Sequence, residues 1–210
     1  MKGNIMRTLN QSVLLGAATL FFVTVAQGQE DYEWYIGAGL GDSTYDSGVN
    51  SLTGTASLDE DDNTAKLFAG VSVNPNLAIE LQYADLGEAT LTGNDGDRFN
   101  INNQAFVFNT DNASISAEGE TIGISALGFL PINDSVSAFA RLGLHAWDVT
   151  GDVTTPDQRT EVEDDGTDVF FGAGVEIALI EQFRLRIEGE HYELDDEDVR
   201  SIGGSLIYRF

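Results

Sequence analysis

The segment FRLRIEGEHY, Phe183–Tyr192, carries a charge at every second position: Arg184, Arg186, Glu188 and Glu190. Phe183, Leu185 and Ile187 occupy the positions between them. Successive side chains of a β-strand point to opposite faces, so this spacing predicts a strand with one apolar edge and one edge of two cations and two anions. The fold turns on which edge is buried, and in what medium.

Seven other stretches alternate in the same way: WYIGAGLG (34–41), TAKLFAGVSV (64–73), LAIELQYA (77–84), TIGISALGFL (121–130), VSAFARLGLHAW (136–147), DVFFGAGVEIAL (168–179) and SIGGSLIYRF (201–210). Their apolar face holds no Asp, Glu, Lys or Arg. The opposite face collects Lys66, Glu80, Arg141, Glu176, Arg184, Arg186, Glu188, Glu190 and Arg209 among Gly, Ser and Ala. A soluble barrel or sandwich would turn that second face to water, and it is too poor in charge for that. The connections also alternate: about three to five residues after the second, fourth and sixth stretches, and roughly twenty to thirty-five after the first, third and fifth. Short periplasmic turns and longer external loops give this pattern. The prediction is an all-β chain, an eight-stranded antiparallel up-and-down transmembrane β-barrel with its apolar side chains toward lipid and a polar interior.

Composition narrows the function. The 210 residues include 35 Asp and Glu, 10 Lys and Arg, two His and no Cys. A formal charge of -25 opposes nucleic acid as a partner, because a binder needs a basic footprint. Without cysteine there is no disulfide framework and no thiolate metal site. Residues 1–28 differ from the rest: Lys2 and Arg7, then the uncharged run SVLLGAATLFFVTVA, then AQG. A basic start, a short apolar run and small residues predict a secretory signal peptide cleaved after Ala26 or Gly28, leaving 29–210 as the barrel.

Eight strands enclose a space that side chains nearly fill, so interior charges must pair. A three-residue turn at Ile180-Glu181-Gln182 would set Glu176 opposite Arg186. The expectation is a network of Glu80, Arg141, Glu176, Arg186 and Glu188, with Arg184 on the same face and Lys66 and Glu190 toward the external end. Trp34, Phe183, Tyr208 and Phe210 read as aromatic anchors at the periplasmic interface, and Tyr83 and Phe171 at the other, with Trp147 a further candidate.

The segments 42–63, 87–120, 149–167 and 193–198 hold 23 of the 35 acids, which predicts solvated anionic loops with little core. Divalent cations are candidate partners there. NDGD (94–97) and EVEDDGTD (161–168) lack the spacing of a calcium loop, so no metal residue is assigned. GAGLG (37–41) lacks the Lys-Ser/Thr and helix of a phosphate loop. His145 and His191 lack a sequence pattern pairing them with a nucleophile, so no catalytic residue and no cofactor is expected.

WYIGAGLG, KLFAGVSVNPNLAIELQYADLG, SALGFLPINDSVSAFARLGLHAWD and the final LIYRF resemble the OmpA-like transmembrane barrel family of small bacterial outer-membrane proteins. The resemblance implies an outer-membrane location among lipid and lipopolysaccharide. It also implies that Leu206, Tyr208 and Phe210 form the signal read by the barrel-assembly machinery. Larger members continue into a peptidoglycan-binding domain; this sequence ends at Phe210, so the expectation is the barrel alone. The functions in view are a structural barrel, a narrow pore gated by interior salt bridges, and an adhesin acting through external loops such as AFVF (105–108).

Overall fold

The computed structural model describes residues 32–101, 104–195 and 197–210; the signal peptide expected over 1–28 lies outside the described residues. The strands are β1 (Glu33–Asp46), β2 (Val49–Asn50), β3 (Ser57–Asp59), β4 (Asp61–Asn74), β5 (Leu77–Gly93), β6 (Arg98–Ile101), β7 (Gln104–Val107), β8 (Ala113–Pro131), β9 (Val136–Thr154), β10 (Arg159–Ala178), β11 (Phe183–Leu194) and β12 (Glu197–Arg209). Eight of them form a closed antiparallel ring in the order β1, β4, β5, β8, β9, β10, β11, β12, with β12 returning to β1. Closure is what an alternating strand needs in hydrocarbon, where an open edge would leave N–H and C=O groups unpaired.

The interior face packs by placing a large ring over a glycine of the next strand. Phe68 lies opposite Gly37 and Tyr35 opposite Gly70 in the β1–β4 register, and Trp147 lies opposite Gly166 and Phe170 opposite Gly143 in β9–β10. A Cβ added at Gly37 would come 2.2 Å from the Phe68 ring, and one at Gly70 would come 2.3 Å from the Tyr35 ring. The sequence alternation of glycine and aromatic is therefore a packing code across neighbouring strands. The outward face keeps Leu40, Leu67, Leu142, Leu144, Ile202 and Leu206 exposed.

The external segments differ from the solvated loops expected of them. β5, β8, β9 and β10 run on past the alternating stretches, so much of the acidic sequence is paired strand. A separate three-stranded sheet, β2–β6–β7, sits in these segments. It helps to cover a core of Leu91, Phe99, Phe108 and Ala113 with Val49, Ala56, Leu58, Ile101 and Ile115 packed against it. The AFVF stretch is divided: Phe108 is inside this core, whereas Phe106 and Val107 are exposed. A bulge in β5 between Asp85 and Glu88 makes the core possible. It turns Glu88 outward and sends Ala89 and Leu91 inward, with Gly87 at φ 77° as the bulge residue.

Asp97 ties this platform together. Its carboxylate accepts from Asn94 N (3.0 Å), Thr55 N (3.1 Å) and the Thr55 hydroxyl (2.7 Å). The backbone N–H of Asn94, then the hydroxyl and N–H of Thr55, hold the carboxyl below the ordinary carboxylate range. A depressed folded-state pKa gives stability that is present above the unfolded value of about 3.9 and lost as pH falls below it. Amide protection at Thr55 and Asn94 is expected to be full above about pH 4 and to fall away as the pH drops below it, while the membrane strands stay protected. Asp97→Asn should already lack most of that protection at neutral pH, as hydrogen-exchange measurements on the refolded protein would show.

Candidate functional site

Charged side chains on β1, β4, β5, β9, β10, β11 and β12 converge in the barrel interior as one continuous ladder. Its frame is set by the β10–β11 hairpin, where Leu179 N donates to Phe183 O at 2.9 Å. That turn puts Glu176 opposite Arg186 in register. Arg186 donates to Glu176 Oε2 (3.1 Å) and to Glu80 Oε2 (2.8 Å). Arg141 reaches up and down from there: Nη2 to Glu80 Oε1 (2.6 Å), Nη1 to Glu190 Oε1 (2.8 Å), and Nη2 3.1 Å from Glu188 Oε2. Lys66 closes the upper end on Glu190 (2.7 Å) and on Glu188.

The lower end goes past what the alternation singled out. Glu176 Oε1 also faces Arg184 (3.3 Å) and Arg209 (3.1 Å), and Arg209 pairs with Glu33 at the rim. Five cations (Lys66, Arg141, Arg184, Arg186, Arg209) thus meet five carboxylates (Glu33, Glu80, Glu176, Glu188, Glu190). These ten groups balance one another in charge although the chain is at -25. Three uncharged partners were also not anticipated. Tyr35 donates to Glu80 (3.0 Å), Arg141 donates to the Gln82 side-chain oxygen Oε1, and Gln82 Nε2 donates to the Tyr192 hydroxyl (2.8 Å). Strand parity carries all three, since 35, 82 and 192 fall on the charged face. Glu33 stands one residue before the alternating stretch and gave no such sign.

Apolar clusters close the ladder on both sides. Below are Tyr35, Phe68, Ala78, Leu127, Phe139 and Ile207. The Arg186 guanidinium lies over the rings of Phe68 (4.8 Å) and Phe139 (5.0 Å), which supports its buried charge further. Above are Tyr45, Leu86, Trp147, Phe170, Tyr192, Leu194 and Val199 with small neighbours. Between them a cavity of about 20 Å³, the room of one water, is lined by Lys66, Glu188, Glu190 and Tyr192.

Trp147 corrects an expectation. It is not an interfacial anchor: it is buried in the upper cluster, and its indole N–H donates to Asp168 Oδ2 at 2.7 Å. The hydrogen bond and the space over Gly166 hold the ring inside. His145 is equally enclosed, with Nδ1 2.7 Å from the Thr121 hydroxyl and Nε2 2.9 Å from the Glu193 carbonyl. His191 lies 3.4 Å from Asp198 and against Phe171. Among the described residues, no group of His, Asp and Glu side chains is arranged to hold a metal ion.

Residues 29–197 match the family described as OmpA-like transmembrane domain. The chain belongs to this family. Outer membrane protein A of Salmonella typhi is 30% identical over 185 residues, covering 84% of this chain and 46% of that protein, so the chain spans about half the length of the curated relatives it matches. Two solved structures share the fold. Ail, the attachment invasion locus protein of Yersinia pestis, aligns with a TM-score of 0.54 at 16% identity, covering 86% of this chain and 100% of that one. OprG of Pseudomonas aeruginosa aligns at 0.55 and 11%, covering 84% and 95%. This OmpA-like barrel resides in the bacterial outer membrane, surrounded by lipid and lipopolysaccharide. Around its short-turn rim Phe183 and Tyr208 meet at 5.3 Å and Tyr208 and Phe210 at 5.2 Å, with Trp34 O accepting from Phe210 N. Tyr83 and Phe171 are exposed on the outward face farther up.

Proposed function

We propose that this OmpA-like chain is a structural, non-enzymatic barrel that strengthens the outer membrane and sets the charge of the cell surface. The observation that carries the reading is the closed interior, a neutral ladder of ion pairs between two apolar clusters. Leu206, Tyr208 and Phe210 share an outward apolar row at the chain terminus, which suits recognition by the assembly machinery. The acidic external strands suit divalent cations shared with lipopolysaccharide phosphates.

A second reading is a narrow, low-conductance pore opened by re-pairing of the ladder. It draws support from Arg141, which already faces three carboxylates, and from the small polar cavity beside Lys66. Planar-bilayer recordings separate the two. For a closed scaffold, the refolded barrel and its Arg186→Ala and Glu176→Gln variants all leave the current at baseline. Stepwise openings that change in either variant would establish the pore instead. An adhesin role through 105–108 has less support, because Phe108 is spent inside the platform core. The solved Ail structure holds a heparin analogue; a polyanion of that kind would be repelled by the acids that surround the platform here.

A further inference from the structure

Above the ion-pair ladder, a cavity of about 130 Å³ lies between the upper apolar cluster and the core of the external platform. Its position follows from the β5–β8 register. Leu91 pairs with Ile115 and Ala89 with Ala117, and the bulge at Gly87 has already turned Ala89 and Leu91 inward. Where the leucine and isoleucine meet, long side chains fill the interior. Where the two alanines meet, two methyl groups leave room. Tyr45 of β1 bounds that room from the upper cluster, and Val49, Leu58 and Ile101 of β2, β3 and β6 bound it from the platform.

Atoms that line a void lose contacts on one side, so an empty space of this size is unfavourable. Water would need two to four polar partners to fill it. The hydroxyls at the lining are committed elsewhere. Tyr45 donates to Gly87 O (2.8 Å), Ser47 to Glu60 (2.6 Å) and Thr90 to Glu88 (3.0 Å). Thr90 and Ser116 are paired between the alanine and the leucine–isoleucine positions, so they belong to the other face of the sheet. Glu197 has interactions of its own. The unsatisfied surface is therefore apolar. Cavities of about 150 Å³ lined by aliphatic side chains stay dry and take up benzene. Size limits the occupant to one ring and excludes a bilayer acyl chain. Charge limits it further: an anionic ligand would meet Glu197 and, beyond Ser47, the carboxylate of Glu60.

We propose that this cavity binds a small neutral aromatic molecule, a single benzene ring with at most a methyl-sized substituent. The ring of Tyr45 supplies the aromatic contact, the branched aliphatic side chains enclose the ligand, and the Ala89–Ala117 pair sets the depth of the site. The inference does not depend on whether the barrel is a scaffold or a pore, because the site lies above the ladder.

The test uses the full chain refolded in nanodiscs with methyl-labelled Leu, Ile and Val, and toluene as the probe. Toluene also dissolves in lipid, and the lipid-facing methyls of Leu142 and Leu144 report that background. The methyls of Leu58, Leu91, Ile101 and Ile115 should shift along a saturable curve and show nuclear Overhauser contacts to the toluene ring. Benzoate, of similar size but charged, should bind at least tenfold more weakly. Ala117→Val and Ala89→Val, which fill the space from opposite strands, should each weaken toluene binding roughly tenfold or more. Shifts at the cavity methyls that only track Leu142 and Leu144, or absence of the Overhauser contacts in the unsubstituted protein, would overturn the proposal whatever the variants do. Equal binding of benzoate, or toluene binding unchanged in both valine variants, would overturn it as well.

Discussion

Arg141→Ala is expected to lower the unfolding free energy of the refolded barrel by about 3–5 kcal/mol, the scale seen when one partner of a buried ion pair is removed. Arg141 is 3% exposed and faces Glu80, Glu188 and Glu190. Its loss leaves four interior cations against five carboxylates and disconnects the upper pairs from the lower. Lys66 cannot replace it at Glu80, because Lys66 is already occupied by Glu188 and Glu190. The cost comes from stranding a carboxylate in a space with little water, so neutralising that carboxylate should recover much of it. Arg141→Gln combined with Glu190→Gln is expected to be clearly more stable than Arg141→Ala, because the count becomes four against four. Urea titration of folding into lipid vesicles, followed by tryptophan fluorescence, measures both. If the single variant costs less than about 1 kcal/mol, the value of an exposed pair, the ladder is solvated and the description of a closed interior fails.

The next residue along the strand gives the second large effect, from the opposite face. Leu142 is 64% exposed and sits near mid-height on the outward face of β9. Leu142→Arg is expected to cost ~2–4 kcal/mol, the penalty for a guanidinium at the bilayer midplane. Val162, 59% exposed on the external extension of β10, is the control. Val162→Arg should fall within about 0.5 kcal/mol of the unsubstituted protein, as surface changes in water do. Similar exposure with opposite cost would show that the two positions face different solvents. Equal, small costs would place Leu142 in water and remove the membrane assignment of that face.

Most of the barrel was legible because one number, a period of two, carries both the strand and its two faces. Arg141 and Leu142 are neighbours in sequence and opposites in environment for that reason alone. The same period contained more than was read from it. It places Trp147 inside with His145, and the size and polarity of the indole suggested an interfacial anchor instead. Its true setting depends on Gly166 of the adjacent strand, which leaves room for the ring, and on Asp168, which accepts its N–H. Neither is a neighbour until the β9–β10 register is known. Arg209 lay on the charged face from the start, but its partners Glu33 and Glu176 come from β1 and β10 and meet it only when the ring closes.

The external platform was the least legible part. Its acids read as solvated loop because local composition there is polar and the apolar residues that form its core are scattered: Val49, Leu58, Leu91, Phe99, Phe108 and Ile115. They come together only through pairings between distant segments, and through a bulge at Gly87 that reverses which residues of β5 face inward. A two-residue period cannot announce its own interruption. The alternation of apolar and polar residues was enough to fix the strands, their faces, the inverted orientation toward lipid and the Glu176–Arg186 pairing, because each follows from local geometry and a short turn. Closure of the ring, the matching of five cations to five carboxylates and the folded platform belong to the tertiary structure. Each depends on strand register and strand length, which side chains far apart in the chain set together.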